Sequence, residues 1–584
     1  MVSSKRFSGY NLSYLQKDLI AGLVVGIVAI PLAMAFAIAS GVRPEYGLYT
    51  SAIAGILVSL FGGSKFQIAG PTGAFVPVLL GVVIQFGYEK LLIAGFLAGF
   101  LILLMGVFKL GRYIKFIPRP VVIGFTAGIA VIIFSGQIAN FLGLENLKKE
   151  ESFHLNMKEI LINLNTINIY SIFTASICLA IVILAPKYLP KIPGALLGLM
   201  VSTVVAALFF PNQVATIGST YGAIPNELPK FEFPELTVNV VIELLPAAFV
   251  IAMLGGIESL LSALVADNIS GSKHDSNKEL IGQGLANMVT PLFGGIPATG
   301  AIARTATNIK NGAFSPLSGV IHGVVVVLVL VLFAPYASSI PLASMAPILM
   351  FVAWNMSESK EFAHILQSKT MDSLVLVSTF LLTVLMDLTT GVGVGLLLAL
   401  LVFVIRISST LKVSKVLPDP NDKLVKPEMV KQGSNCPQIN IYTVEGPLFF
   451  GTTEHFEKEM EEILRLEPRV LLLRLSKVSI VDSSGEALLM NLVKRFKDSN
   501  QQVIFSGIQP QLEDLFKKTG FYQLAGEENF FAHTGDAINY ALSKLDVKRC
   551  KGCKHFSFAE CSTLSKEEAN PKAKRKTKRE LGLI

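Results

Sequence analysis

The sequence predicts a polytopic α-helical membrane protein with a soluble α/β domain behind it, and three observations lead there. Of its 584 residues, 52% are apolar and only 16% are charged, where soluble domains carry about a quarter. The charge is also unevenly divided. Residues 1–410 hold 42 charged side chains and residues 411–584 hold 50, so the first part suits lipid and the second suits water. Finally, the apolar residues fall into runs of membrane-crossing length. The formal charge of +8 splits evenly between the two parts, which leaves nucleic-acid binding without support. Five cysteines, three of them crowded near the end, do not make a disulfide scaffold.

The first run is apolar and uncharged from Leu19 to Ala39, enough for one helical crossing. It lacks a small-residue cleavage site and further crossings follow at once, so it does not read as a signal peptide. Similar runs recur at 46–61, 73–88, 91–108, 121–142, 169–186, 193–210, 244–266, 279–293, 314–334, 341–354, 371–387 and 390–409. With a short broken segment near 300–310, about fourteen crossings are expected. Lys5, Arg6 and Lys17 precede the first run, Lys109, Arg112, Lys115 and Arg119 separate the fourth and fifth, and Lys187 and Lys191 the sixth and seventh. This bias places both the N-terminal segment and the soluble domain in the cytoplasm of a cell (plasma or inner) membrane protein. The expected plan is a cytoplasmic segment 1–17, a membrane domain 18–410, a linker 411–436, an α/β domain 437–545 and a Cys/basic tail 546–584. Asp387 reads as a boundary residue.

Two interruptions of the apolar pattern match. Leu60-Phe61-Gly62-Gly63 is followed after eight residues by Thr72-Gly73-Ala74, and Leu292-Phe293-Gly294-Gly295 after three by Thr299-Gly300-Ala301. The triplets are separated by about half the length of the membrane part, and Pro71 or Pro297 precedes each. Paired Gly/Pro-broken segments in corresponding halves point to a transporter site, because irregular backbone in a membrane is tolerated only where it lines a cavity. A helix that starts there presents unpaired N–H groups and a positive dipole end, and two such starts make a cradle for an anion. Thr72 and Thr299 would add hydroxyl donors, and Gly73 and Gly300 would let backbone approach the ligand. Gln67 is a candidate hydrogen-bonding lid.

Pro44-Glu45-Tyr46-Gly47-Leu48-Tyr49-Thr50, Phe61-Gly62-Gly63-Ser64-Lys65 and Gly70-Pro71-Thr72 resemble the signature of the SulP anion-permease family, and Gly256-Ile257-Glu258-Ser259-Leu260-Leu261 and Ala303-Arg304-Thr305-Ala306-Thr307-Asn308 resemble its second-half motifs. The resemblance covers about residues 10–545. It implies fourteen spans in two inverted halves of seven, a core domain that carries a bicarbonate, sulfate or dicarboxylate anion past a gate domain by an elevator-type movement, and a homodimer.

Glu258 lies inside the apolar run 244–266, where a carboxylate is a functional hypothesis by default. It stands as far after Pro31 as the second triplet stands after the first, so the repeat pairs it with the proline of the first run. The resemblance makes this region the coupling-cation site. Glutamate with Ser259 and Ser262, in place of the aspartate and threonine of sodium-coupled relatives, favours H+ over Na+. The alternative is a structural pair of Glu258 with Arg304, which otherwise would attract the anion through its long-range field.

After Arg406 the composition turns polar, with Pro418-Asp419-Pro420-Asn421 as a linker. Strands at Gln438–Val444, Val470–Leu475 and Val503–Phe505 alternate with helices at Glu454–Leu466 and Gln511–Lys518, an α/β pattern. Glu445-Gly446-Pro447-Leu448-Phe449-Phe450 and Asp482-Ser483-Ser484-Gly485 resemble the STAS domain that follows SulP transporters. That resemblance makes Ser484 a candidate phosphorylation site and a STAS-binding regulatory protein a candidate partner, beside the plainer reading of Asp482 as a helix cap. In the tail, Cys550, Cys553, His555 and Cys561 are a candidate metal set, with free thiols the default. Six basic residues within 572–579 suit anionic lipid. No nucleophile–base set, P-loop or dinucleotide motif is present. The expected function is therefore not an enzyme's. It is secondary active transport of a small anion without a cofactor, with an uncoupled channel or exchanger, or an anion-sensing protein, as alternatives.

Overall fold

The structure is a computed structural model and describes residues 11–565 except 114–117, 146, 149, 151, 190–191, 227, 387, 420–424 and 431–435. Lys5, Arg6, Lys115, Lys191, Asp387, Pro420, Asn421 and the basic run 572–579 lie outside the described residues. The chain divides into two compact units, Met1–Ala399 and Leu400–Ile584.

Fourteen helices fall on the fourteen runs. The first seven are α1 (Leu12–Ala39), α2 (Pro44–Phe61), α3 (Val76–Phe86), α4 (Tyr88–Val107), α5 (Arg119–Gly136), α6 (Ile169–Tyr188) and α7 (Gly194–Phe209). The second seven are α8 (Val238–Ser270), α9 (Ser276–Val289), α10 (Ile302–Lys310), α11 (Leu317–Ala337), α12 (Leu342–Met356), α13 (Met371–Leu385) and α14 (Leu388–Ser408). Seven of the described helices are long and apolar enough to cross a membrane. Large side chains such as Phe173, Phe249, Leu332 and Leu400 are exposed on them, as a lipid-facing surface requires. Polar residues mark the ends. Asn11, Thr237 and Asp275 cap α1, α8 and α9 by accepting from Tyr14, Val240 and Asn277 N–H groups, which satisfies donors that the first turn leaves unpaired.

The packing repeats with a step of seven helices. Helix α1 lies on α11 as α8 lies on α4, α2 on α11 as α9 on α4, and α5 on α13 as α12 on α6. One group therefore holds α1–α4 with α8–α11, and a second holds α5–α7 with α12–α14. Each half also supplies the other with a buried carboxylate. Asp18 of α1 accepts from Phe314 N, Ser315 N and the Ser315 hydroxyl at 2.7, 3.0 and 2.6 Å, ahead of α11. Glu279 of α9 accepts from Gly63 N and Ser64 N at 2.8 and 2.9 Å, just past α2. These bonds fix loops that would otherwise expose backbone donors in an apolar layer.

Two strands of two residues, β1 (Ala69–Gly70) and β2 (Thr299–Gly300), pair antiparallel, Ala69 opposite Gly300 and Gly70 opposite Thr299. Under that pairing Thr299 occupies the place of Ala69, and not the place of Thr72 that the triplets imply. The matching letters therefore misalign the two strands by three positions.

In the second unit five strands lie in the order β3 (Lys412–Lys415), β4 (Ile439–Glu445), β5 (Val470–Lys477), β6 (Gln502–Ser506) and β7 (Phe530–Phe531). Strand β3 is antiparallel to β4 and the others are parallel. The stretch expected as linker thus supplies an edge strand. Helices α15 (Thr453–Arg465), α16 (Ser483–Asp498) and α17 (Pro510–Lys518) pack Phe456, Leu489, Phe496 and Phe516 against one face. The other face, with Ile439, Ile441, Leu472 and Ile504, is covered by Ala537 and Ala541 of α18 (Thr534–Ser543) and by Phe558 of the following segment. Asp482 caps α16 as expected, accepting from Gly485 N at 2.8 Å, and its other oxygen takes Phe450 N at 3.0 Å. Ser484 stands half-buried on the first turn of α16.

Candidate functional site

The paired strands bring the two irregular segments together. Beyond β1, Thr72 precedes a single 3-10 turn, Gly73–Phe75, which runs into α3. Beyond β2, Ala301 occupies the cap position of α10. The two threonines are therefore not equivalent: Thr72 begins a helix, and Thr299 lies within a strand. Strand pairing extends one step further through Ala301 N to Ile68 O at 2.8 Å.

Helix α8 passes beside both segments and holds them with successive side chains. The Thr72 hydroxyl donates to Glu258 Oε2 at 3.0 Å. Ser259 Oγ lies 2.8 Å from Thr299 Oγ1 and accepts from Gly300 N at 3.1 Å. Ser262 Oγ donates to Thr305 Oγ1 at 3.3 Å, which also accepts from Ile68 N at 3.1 Å. Thr299 Oγ1 also donates to Gly255 O at 3.3 Å. The three residues expected to share a cation thus face three different partners, and Ser259 and Ser262 spend their hydroxyls on the scaffold. Glu258 is half-buried, while Ser259 and Ser262 have no exposure.

Arg304 is buried. Its Nη1 donates to Ser51 Oγ at 3.1 Å and its Nη2 to Pro71 O. Gly70 makes room for this guanidinium, since a Cβ there would lie 2.3 Å from Nη1. Among the described residues Glu258 and Arg304 form no ion pair within 4.0 Å, so the guanidinium serves as a clamp between α10 of one half and the turn before α3 of the other. Gln67 is not a lid. It is buried, its Nε2 donates to Ser259 O at 3.0 Å, and its amide lies over Gly300, where a Cβ would come within 1.7 Å of Nε2. Glycine at 300 therefore makes room for a side chain, whereas at Gly73 a Cβ would meet Met356, Ile133 and Phe36. The Gly73 and Ala74 N–H groups have no acceptor among the described residues, as expected of a first helical turn.

Two residues to which the sequence analysis gave no role of their own complete the scaffold. Asn287 of α9 accepts from Ala298 N and donates to Ala298 O, both at 2.8 Å, a two-bond match to the backbone just ahead of β2. Asn308 donates to Phe66 O at 2.9 Å and to Ser318 Oγ at 2.8 Å. An amide side chain inside an apolar run is the only signal Asn287 offers, whereas Asn308 ends a second-half motif. Leucine at 287 strands a buried donor and acceptor, each costing about 1–3 kcal/mol. The expected result for Asn287→Leu is a drop in the melting temperature of the detergent-purified protein and loss of anion uptake; an unchanged melt and uptake would show the two bonds to be dispensable.

A sequence model described as the sulfate permease family matches residues 15–379, and one for the STAS domain matches residues 427–537. The candidate sulfate transporter YvdB of Bacillus subtilis is 59% identical over 530 residues, which cover 91% of this chain and 98% of its own. The bicarbonate transporter BicA of Picosynechococcus sp. is 29% identical over 548 residues, 90% of this chain and 94% of its own. Among solved structures, murine Solute Carrier 26 family member A9 superposes with a TM-score of 0.83 at 19% identity, over 93% of this chain and 94% of that one. The transmembrane domain of a cyanobacterial BicA superposes at 0.59 with 29% identity, over 67% and 98%. With paired broken segments, fourteen helices in two matching sets and an α/β domain after them, the chain belongs to the sulfate permease family of membrane anion transporters and carries a STAS domain.

Proposed function

We propose that the protein is a secondary active symporter of a small oxyanion or carboxylate with a proton. The anion binds at the N–H groups of Gly73 and Ala74 and those opening α10 after Gly300 and Ala301. The observation that carries this reading is the hydrogen bond from Thr72 to Glu258. When Glu258 is ionised it accepts only, so the Thr72 hydroxyl proton is committed to it. When Glu258 is protonated it donates to Thr72 Oγ1, which frees the Thr72 hydroxyl to turn toward an anion and removes a repelling charge from beside it. Proton and anion then favour one another's binding, which is what symport requires. The engagement of Ser259 and Ser262 with Thr299 and Thr305 leaves fewer oxygens for Na+ and supports the proton. Elevator-type movement, the homodimer, cytoplasmic placement of both ends in a plasma or inner membrane, and a regulatory protein on the STAS domain belong to the same reading.

Purified protein in liposomes, offered labelled bicarbonate, sulfate and dicarboxylates, tests it. Concentrative uptake should follow an inward proton gradient alone. Glu258→Gln, which donates a hydrogen bond at every pH, should retain downhill flux and lose concentrative uptake. Uptake driven by a sodium gradient moves Glu258 to a cation-ligand role. Flux that follows only the anion gradient, unaltered by the substitution, identifies a channel or exchanger and ends the coupling claim.

A further inference from the structure

The segment after α18 is not a loose tail. Phe558 is buried against Ile439, Ile441 and Leu472, with Cys436 and Cys561 packed beside them. Cys550-Lys551-Gly552-Cys553 closes a type II turn: Cys553 N donates to Cys550 O at 3.1 Å, Lys551 has φ −63° and ψ 124°, and Gly552 has φ +71°. A Cβ at Gly552 would touch nothing, so glycine is there for its backbone angle. Cys561 returns from beyond Phe558, and Cys436 arrives from the opposite direction, just ahead of β4. All four cysteines line one cavity of about 20 Å³, with Gln438, Arg549 and His555. Gln438 fastens the two sources of thiols together. Its Oε1 accepts from Asp546 N at 2.9 Å, and its Nε2 donates to Asp546 O at 3.1 Å and to Cys550 Sγ at 3.3 Å.

We propose that Cys436, Cys550, Cys553 and Cys561 form a four-thiolate site for a soft transition metal, either a zinc ion or the iron of an iron–sulfur cluster. Tetrathiolate sets select these metals over calcium or magnesium. Cys436 takes the fourth place that the sequence alone offered to His555. Among the described residues no three such donors already stand at single-ion spacing, so binding turns the thiols inward about their Cα–Cβ bonds. Each thiol gives up its proton to solvent as it ligates, and a divalent ion with four thiolates then carries a net charge of −2. Arg549 on the cavity wall offsets part of that charge. The N–H of Gln438 aimed at Cys550 Sγ is the type of outer contact that orients a ligand.

The full chain, purified in detergent under reducing and anaerobic conditions, is analysed for zinc, iron and acid-labile sulfide per chain. One equivalent of zinc without sulfide, or iron with matching sulfide and visible absorption, supports the proposal and tells the two metals apart. Chelator-treated protein titrated with cobalt(II) should develop thiolate charge-transfer bands, and added zinc should protect four thiols from alkylation. Cys436→Ser should lower bound metal several-fold, while Cys178→Ser, in the membrane unit, should retain it. Should Cys436→Ser misfold, the alkylation of the unsubstituted chain decides alone. Full metal content in Cys436→Ser, disulfides among the four cysteines under reducing conditions, or equal alkylation with and without zinc and no cobalt bands would each overturn the site.

Discussion

Arg304→Met should bring anion uptake to background and lower the melting temperature of the purified protein. The substitution conserves much of the apolar stem but removes both donors. Pro71 O and Ser51 Oγ then lose their partners in the interior, at about 1–3 kcal/mol for each buried group left unpaired. Position matters more than energy here. Pro71 lies between β1 and the turn that opens at Gly73, so releasing its carbonyl releases the direction of the Gly73 and Ala74 N–H groups. Arg304→Lys should not restore transport, because an ammonium lacks the planar fork that reaches two acceptors at once. Uptake in liposomes and a fluorescence melt measure the two effects. Parent-like uptake by the methionine variant would show that the clamp does not orient the site.

Gly300→Ala should lower uptake at least about tenfold, and Gln67→Ala in the same chain should return part of it. The alanine Cβ would stand 1.7 Å from Gln67 Nε2, far inside contact distance, so the buried amide must leave Ser259 O. Residues in direct contact are expected to depart from additivity by about 0.5–3 kcal/mol. If the double variant transports no better than Gly300→Ala alone, glycine is needed for close approach of a ligand, as the sequence suggested, and not to admit the glutamine.

Those two residues also mark the limits of the sequence. Runs such as 244–266 and 371–387 carry a lipid-matched apolar signal, and helices α8 and α13 stand on them. Strands β4, β5 and β6 were legible within one or two residues, whereas the edge strands β3, read as linker, and β7, only two residues long, were not. The pairing of Ala69–Gly70 with Thr299–Gly300 was not legible. Two-residue strands have no period, and the repeated Thr-Gly-Ala letters favoured a register three positions off. The presence of Glu258 and Arg304 in neighbouring motifs suggested an ion pair, whereas each side chain reaches across to the other segment. Cys436 looked solitary because its three companions lie at the far end of the domain, on a segment whose return is set by Phe558 and Gln438.

The junction of β1 with β2 constrains the order in which the protein can be made. Ala69 and Gly70 are synthesised long before Thr299 and Gly300, and until those arrive their backbone groups have no strand to meet. During that interval the first half of the chain must sit in the bilayer with a gap in its own wall, filled by water or by an insertion factor, since lipid cannot satisfy those groups. Closure is a late, long-range event that depends on loop entropy rather than local preference. A nascent chain arrested before Thr299 is thus a natural target for membrane quality control, and co-expressing the halves 1–237 and 238–584 as separate chains should rescue both from degradation.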